Sequence, residues 1–288
     1  MPLKLIAGNF KILNTAPDGD SIKFYPDDPN IWKKLGIKVR ANHAGGVQLR
    51  LDGIDALETH YQPRIGSLGL QHQPKTLAHS AAAELLKFLG FDQVTRDSHE
   101  VVTAATPQQL PGFILTRFAD TYGRSVAFVF KGNAPGADGS DVYLDKSLLH
   151  QSANDHLLAA GLVYPTFYSK LYVDLQQEMT KSTDKARHGH TGIWQVDKTT
   201  EGFVLEQLRT ITDKVVILPK LFRRLLDYLA INGGSVSLAG FKDYLESRDD
   251  RLIILPNGHI TGFDYVVEVN AQTIKLTQPP ERLVFIEQ

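Results

Sequence analysis

Arg50-Leu51-Asp52-Gly53-Ile54-Asp55-Ala56-Leu57-Glu58-Thr59 packs one guanidinium and three carboxylates into nine residues, and its first half alternates as a strand does. Residues two apart on a strand share a face, so Leu49, Leu51 and Gly53 are expected inward and Arg50 and Asp52 outward. The alternation stops after Ile54. The strand is therefore expected to end there, with a turn that presents Asp55 and Glu58 at the sheet edge. Taken alone, such a cluster also reads as a solvated ion-pair patch, so the neighbouring segments must decide.

Upstream, Ile6 to Leu13 reads as a first strand. Asn14-Thr15-Ala16-Pro17-Asp18-Gly19-Asp20 is dense in turn formers, and Ser21 to Tyr25 alternates as a second strand, which places Asp20 at a strand start. Pro26 to Gly46 is rich in Pro, Asp, Asn and Gly and reads as a long excursion with a short strand at Ile37 to Arg40. Val47 to Ile54 is the third strand. Downstream, Tyr61 to Gln73 reads as a loop. From Pro74 the residues Leu77, Ala81, Leu85, Leu86 and Leu89 recur at three and four, the period of an amphipathic helix, and Gly90 stops it. Gly112 to Phe118 and Ser125 to Phe130 are strands joined by the turn Asp120-Thr121-Tyr122-Gly123-Arg124. Leu144 to Ala160 and Tyr172 to Lys185 are expected helices. Three strands, a helix and two strands, with trailing helices, is the order of a five-stranded OB-type barrel, an α+β arrangement in which closure buries the sheet edges.

The bulk numbers exclude several classes. The 288 residues include 31 basic and 32 acidic side chains, so there is no polycationic surface for bulk binding of nucleic acid, and any phosphate site must be local. Cysteine is absent, which excludes disulfides, thiolate metal sites and cysteine nucleophiles. The stretch Met1 to Lys11 is interrupted by Lys4, Asn9 and Lys11 and lacks a signal-peptide core, and no apolar run reaches the length of a membrane span. A cytoplasmic protein with no membrane partner is the expectation. No Walker loop, no Gly-x-Gly-x-x-Gly after a strand and no His-Glu-x-x-His occurs. His188-Gly189-His190 reads as a helix-capping segment rather than a metal site.

Four pieces remain: Asp18-Gly19-Asp20, Arg50 to Glu58, Asp120-Thr121-Tyr122-Gly123-Arg124 and Gly192-Ile193-Trp194. In this order, at strand ends, they resemble the staphylococcal nuclease (thermonuclease) family, the calcium-dependent phosphodiesterases built on an OB barrel. The resemblance covers about residues 5 to 194. It implies that Asp20 and Asp55 are carboxylate ligands of calcium, with the main-chain carbonyl of Ala56 as a third. A threonine is usual at 56 and a proline at 57, and Leu57 implies a looser turn. It further implies that Glu58 is the catalytic carboxylate that orients a water held at the ion or takes its proton. Arg50 and Arg124 are implied to flank the scissile phosphate, where two planar guanidiniums suit paired oxygens and stabilise the charge that develops during attack. By the same resemblance the products carry 3′-phosphates and the substrate is single-stranded or unwound DNA or RNA. Tyr122 matches a pocket-lining tyrosine, although Thr121 replaces a usual lysine. Phe167 and Tyr168 are candidates to stack on an unpaired base, with core packing as the even alternative.

From residue 196 the resemblance stops, so the expected domains are 1–195 and 196–288. The second is read as a small α+β accessory domain: a possible helix at Phe203 to Asp213, a better one at Pro219 to Ala230, another at Phe241 to Ser247, and strands at Leu252 to Leu255, Tyr265 to Val269, Thr273 to Leu276 and Leu283 to Ile286. It shows no catalytic set, and Lys220, Arg223 and Arg224 read first as a solvated helix face and second as an aid in holding a nucleic-acid backbone. Recruitment of substrate, a protein partner or dimerisation are open roles for it. Two functions stand against each other: a calcium-dependent nuclease, or an SNase-like module that binds nucleic acid or protein with little or no catalysis.

Overall fold

The computed structural model describes residues 2–66 and 68–287. The chain forms two compact units, one comprising residues up to Asp52 together with Ala81–Leu157, the other Gly53–Ser80 together with Leu158 onward. Both mix helix and strand. No helix among the described residues is long and apolar enough to cross a membrane.

The first unit is built on a closed five-stranded barrel: β1 (Leu3–Lys11), β2 (Ser21–Pro26), β3 (Val47–Leu51), β4 (Gln109–Ala119) and β5 (Ser125–Lys131). Neighbours are antiparallel around the ring β4-β1-β2-β3, and β5 closes it, antiparallel to β4 and parallel to β3 with Arg50 beside Val126. This order, with its parallel closure, is consistent with an OB-type barrel. Leu5, Phe10, Ile22, Phe24, Leu49, Leu51, Ile114, Leu115, Phe128 and Val129, which between them cover both faces of the barrel strands, are essentially inaccessible to solvent. Burying each such side chain contributes roughly 1.5–3 kcal/mol. Gly8 and Gly112 face one another across β1 and β4. A Cβ at Gly112 would stand 2.2 Å from Cε2 of Phe10, and one at Gly8 2.2 Å from the carbonyl oxygen of Tyr25, so the strands bend over the aromatic core only where side chains are missing.

Several expected elements shift. The third strand stops at Leu51, and Ile54–Ala56 is a separate short strand antiparallel to Val163–Pro165 in the second unit. Asp52 is not solvent-facing: it is 9% exposed, its N–H donates to the Ala127 carbonyl at 2.9 Å and its carbonyl accepts from Nδ2 of Asn154 at 2.9 Å. Alternation failed there because the strand had already ended. Ile37 to Arg40 forms no strand, whereas Ile31–Lys34 forms a short helix. A hairpin of Gln93–Arg96 and Val102–Thr106 forms without having been expected. The helix expected from Pro74 is present as Lys75–Leu89, between β3 and β4 in the chain. Leu144 to Ala160 forms two short helices, Lys146–Leu149 and Ala153–Ala159.

In the second unit the helix Pro219–Ile231 carries Leu221, Phe222, Leu225, Leu226 and Leu229 on one face, the spacing that buries a helical stripe. That stripe shares one apolar core with Leu57, Tyr164, Ile193 and Trp194. The core therefore runs across the expected boundary at residue 195. Two small sheets complete the unit, one of Phe167–Tyr168, Leu283–Phe285, Arg251–Ile254 and His259–Gly262, the other of Phe203–Val204, Thr273–Leu276 and Val267–Asn270. The expected helix at Phe203 to Asp213 is instead a short strand followed by a π-helical turn, Thr210–Lys214, and the expected strand at Tyr265 begins as the end of the helix Phe263–Val266.

Candidate functional site

In the barrel unit the pairing of Ser21 with Arg50 sets the start of β2 beside the end of β3. Arg50 Nη1 lies 3.3 Å from Asp20 Oδ2, with both side chains largely buried, and the Leu51 N–H donates to the Asp20 carbonyl at 2.8 Å. Arg124 immediately precedes β5, whose Val126 is the neighbour of Arg50 in the parallel register. Half-buried Arg124 and Val126 alternate with buried Ser125, so Arg50 and Arg124 project on the same outer face of adjacent strands.

Two like charges on one face each have their own acid. Asp120 governs Arg124: its Oδ2 accepts from Nε at 2.7 Å, while its Oδ1 accepts from the N–H of Tyr122 at 3.0 Å and of Arg124 at 2.9 Å. This Asx-type turn places Gly123 at φ +79, where a side chain would be strained, and a Cβ there would also meet Arg40 at 2.8 Å. Asp120 holds the guanidinium by Nε. Tyr122 is 59% exposed, with the Arg124 guanidinium 5.5 Å from its ring centre. The sequence reading places Asp120 at the head of this hairpin turn and gives it no role of its own.

In the second unit Asp55 sits mid-strand opposite Tyr164 and is 1% exposed. A buried carboxylate needs a counter-charge or donors, and here Arg223 supplies them. Arg223 Nη2 is 2.7 Å from Asp55 Oδ2 and Nη1 is 3.3 Å from Oδ1, a two-pronged contact, and Nη1 also donates to Oε1 of Glu58. Burial by itself would lower the Arg223 pKa, but the charges of Asp55 and Glu58 outweigh it and hold the guanidinium well above its ordinary value. Arg223 was read from sequence as part of a solvated helix face. Its helix periodicity was legible, but its partners lie 165 and 168 residues away.

The turn at Leu57 is firmly held despite the missing proline. Leu57 is 1% exposed and belongs to the second unit's core. Gln73, itself fully buried, accepts the Glu58 N–H at 3.2 Å, donates its own N–H to the Glu58 carbonyl at 2.8 Å, and donates Nε2 to the Ile217 carbonyl at 2.7 Å. Ala56 is 4% exposed and pairs with Val163.

The stacking role of Phe167 needs correction. Phe167 is fully buried and presents no face to a base, because it pairs with Val284 and forms part of the sheet interior. Tyr168 packs tilted against Phe285 at 5.9 Å. Tyr164, also fully buried, donates its hydroxyl to Asp197 at 2.6 Å. Tyr164 and Phe167 are therefore core, and Tyr168 is half-buried against it. His188 and Gly189 end the helix Val173–His188, in keeping with a capping segment.

No protein-family model matches the chain, and no curated protein matches it either. Among the described residues no group of three or more His, Asp and Glu side chains is arranged to hold a metal ion. Asp20, in the first unit, and Asp55 and the Ala56 carbonyl, in the second, are all oxygen donors. The buried Asp55 and its neighbour Glu58 already attract a cation of the chain's own, so the electrostatics of this pair favour positive charge.

Proposed function

We propose that this chain is a calcium-dependent nuclease that hydrolyses phosphodiester bonds of DNA or RNA and leaves 3′-phosphate ends. The observation that supports it most is the pair of arginines, Arg50 and Arg124, on one outer face of adjacent strands β3 and β5, each oriented by its own aspartate. Two such guanidiniums match the paired oxygens of a phosphodiester. They also neutralise the charge that grows on those oxygens as a nucleophile adds. Removing one donor of this kind costs about 3–4 kcal/mol of transition-state stabilisation.

Asp20, Asp55 and the Ala56 carbonyl are the groups assigned to calcium. When bound, calcium supplies positive charge that polarises the phosphate and makes water a better nucleophile. Glu58 accepts the proton of the attacking water. The bond from phosphorus to the 5′-oxygen breaks, and that oxygen leaves with a proton from solvent, so the 3′ side retains the phosphate. Gln73 keeps the Glu58 backbone fixed, and Asp120 keeps Arg124 aimed. Tyr122, exposed beside Arg124, is the aromatic placed to contact a nucleotide.

The second reading is an SNase-like module that binds nucleic acid or protein without cleaving it. It is favoured by the ion pairs of Arg223 with Asp55 and Glu58, which occupy the carboxylates that the nuclease reading needs. Incubation of the purified chain with single-stranded DNA and with RNA, in calcium or in chelator, separates the two. Calcium-dependent fragments ending in 3′-phosphate support the nuclease, whereas retention of intact, bound oligonucleotide supports the module.

A further inference from the structure

Arg223 does more than neutralise a buried acid. Its guanidinium engages both oxygens of Asp55 and reaches Glu58 as well, so one side chain satisfies the acid assigned to the ion and the acid assigned to the water. Its Cα is fixed, because the flanking Leu221, Phe222, Leu225 and Leu226 are fully buried. Its head lies at the end of a long stem and is held by those two acids, with the side chain 20% exposed. A guanidinium fork on Asp55 takes one lone pair from each oxygen and places a positive charge where a hard dication would sit, so the two compete for the same carboxylate.

We propose that Arg223 is an intramolecular competitor of the divalent cation at Asp55 and Glu58, and that the folded chain is self-inhibited until the ion displaces it. The proposal rests on the nuclease reading, because that reading makes these two carboxylates the functional ones. One guanidinium and one dication are alternatives there. Both together would oppose three positive charges to the two negative ones of Asp55 and Glu58, because Asp20, the third acid assigned to the ion, is already matched by Arg50. The exchange is reciprocal: whatever moves Arg223 away tightens ion binding, and ion binding releases Arg223.

The test is calcium titration of the full chain by isothermal calorimetry, for the wild type, Arg223→Gln, Arg223→Lys and Asp55→Asn. Arg223→Gln is expected to bind calcium roughly tenfold or more tightly than the wild type. Arg223→Lys keeps one positive charge but loses the fork and falls between them, and Asp55→Asn loses binding. Circular dichroism checks folding. Should Arg223→Gln not fold, Arg223→Lys carries the comparison, together with the wild-type side-chain amide spectrum, in which the Arg223 guanidinium signal moves on addition of calcium. Equal or weaker affinity in the folded Arg223 variants, or an Arg223 signal indifferent to calcium, overturns the proposal. Tighter calcium binding without any cleavage of single-stranded DNA instead leaves competition standing and removes the nuclease reading. Calcium-dependent cleavage by a wild type whose affinity Arg223→Gln does not change does the reverse.

Discussion

Asp120 illustrates how much one short side chain decides. It accepts three donors, two from the backbone of its own turn and one from Arg124, and so sets both the turn and the aim of the guanidinium. Asp120→Ala removes the charged acceptor and leaves Arg124 free to rotate. Under the nuclease reading the expected result is a fall in kcat/KM on single-stranded DNA smaller than that of Arg124→Ala, with stability lowered by about 1–3 kcal/mol in urea titration. Equal losses of activity in the two variants would show instead that Asp120 does more than position its neighbour. Arg50→Ala is expected to lower kcat by about two to three orders of magnitude under the same reading, measured at saturating substrate. Gln73 is a comparable positioning residue for Glu58. Gln73→Ala leaves the buried Ile217 carbonyl without its Nε2 donor and is expected to cost about 1–3 kcal/mol in the same titration.

At the scale of elements, the barrel was legible because its strands are long and alternate, and because turn formers separate them. β2 and the β4–β5 hairpin fall where the pattern puts them. The end of β3 was not legible, since Gly53 at φ +76 interrupts a run that still looks alternating in sequence. The price of that one misjudged residue was the environment of Asp52. Phe167 was misread for a different reason: an aromatic run looks the same whether it faces a ligand or a core, and only the pairing with Leu283–Phe285 decides. Arg50, Asp20 and Arg124 could be singled out from local motifs, whereas Arg223 could not, because its role depends on pairing across most of the chain. The glycines of the barrel had no sequence signal of their own. Gly112→Ala places a methyl group 2.2 Å from Phe10 and 2.6 Å from the Phe130 carbonyl, and is expected to destabilise by about 1–3 kcal/mol in chemical denaturation. An unchanged midpoint would mean that the strand relaxes around it at no cost.

For the molecule as a whole, pH reports on the ion pairs of the second unit. Asp250 is opposed by Lys220 at 3.0 Å and by Arg224 through two hydrogen bonds. Burial raises its pKa, but the Arg224 hydrogen bonds and the Lys220 charge outweigh this and bring it to about 2. The folded value lies below the unfolded one, near 4. The stabilisation is therefore complete above about pH 4 and lost as pH falls toward 2, an increment of roughly 2 kcal/mol. Urea titrations at successive pH values should show the gap between wild type and Asp250→Asn narrowing by that amount across this window, and a constant gap would rule out the linkage. The central claim, hydrolysis of phosphodiesters by a calcium-dependent site that uses Glu58, is tested most directly by cleavage of end-labelled single-stranded DNA, wild type beside Glu58→Gln, in calcium and in chelator. The nuclease reading predicts fragments ending in 3′-phosphate from the wild type in calcium alone, with the rate reduced at least a hundredfold by Glu58→Gln, on the order of a lost general base. Intact DNA in calcium, or cleavage that Glu58→Gln leaves unchanged, contradicts it.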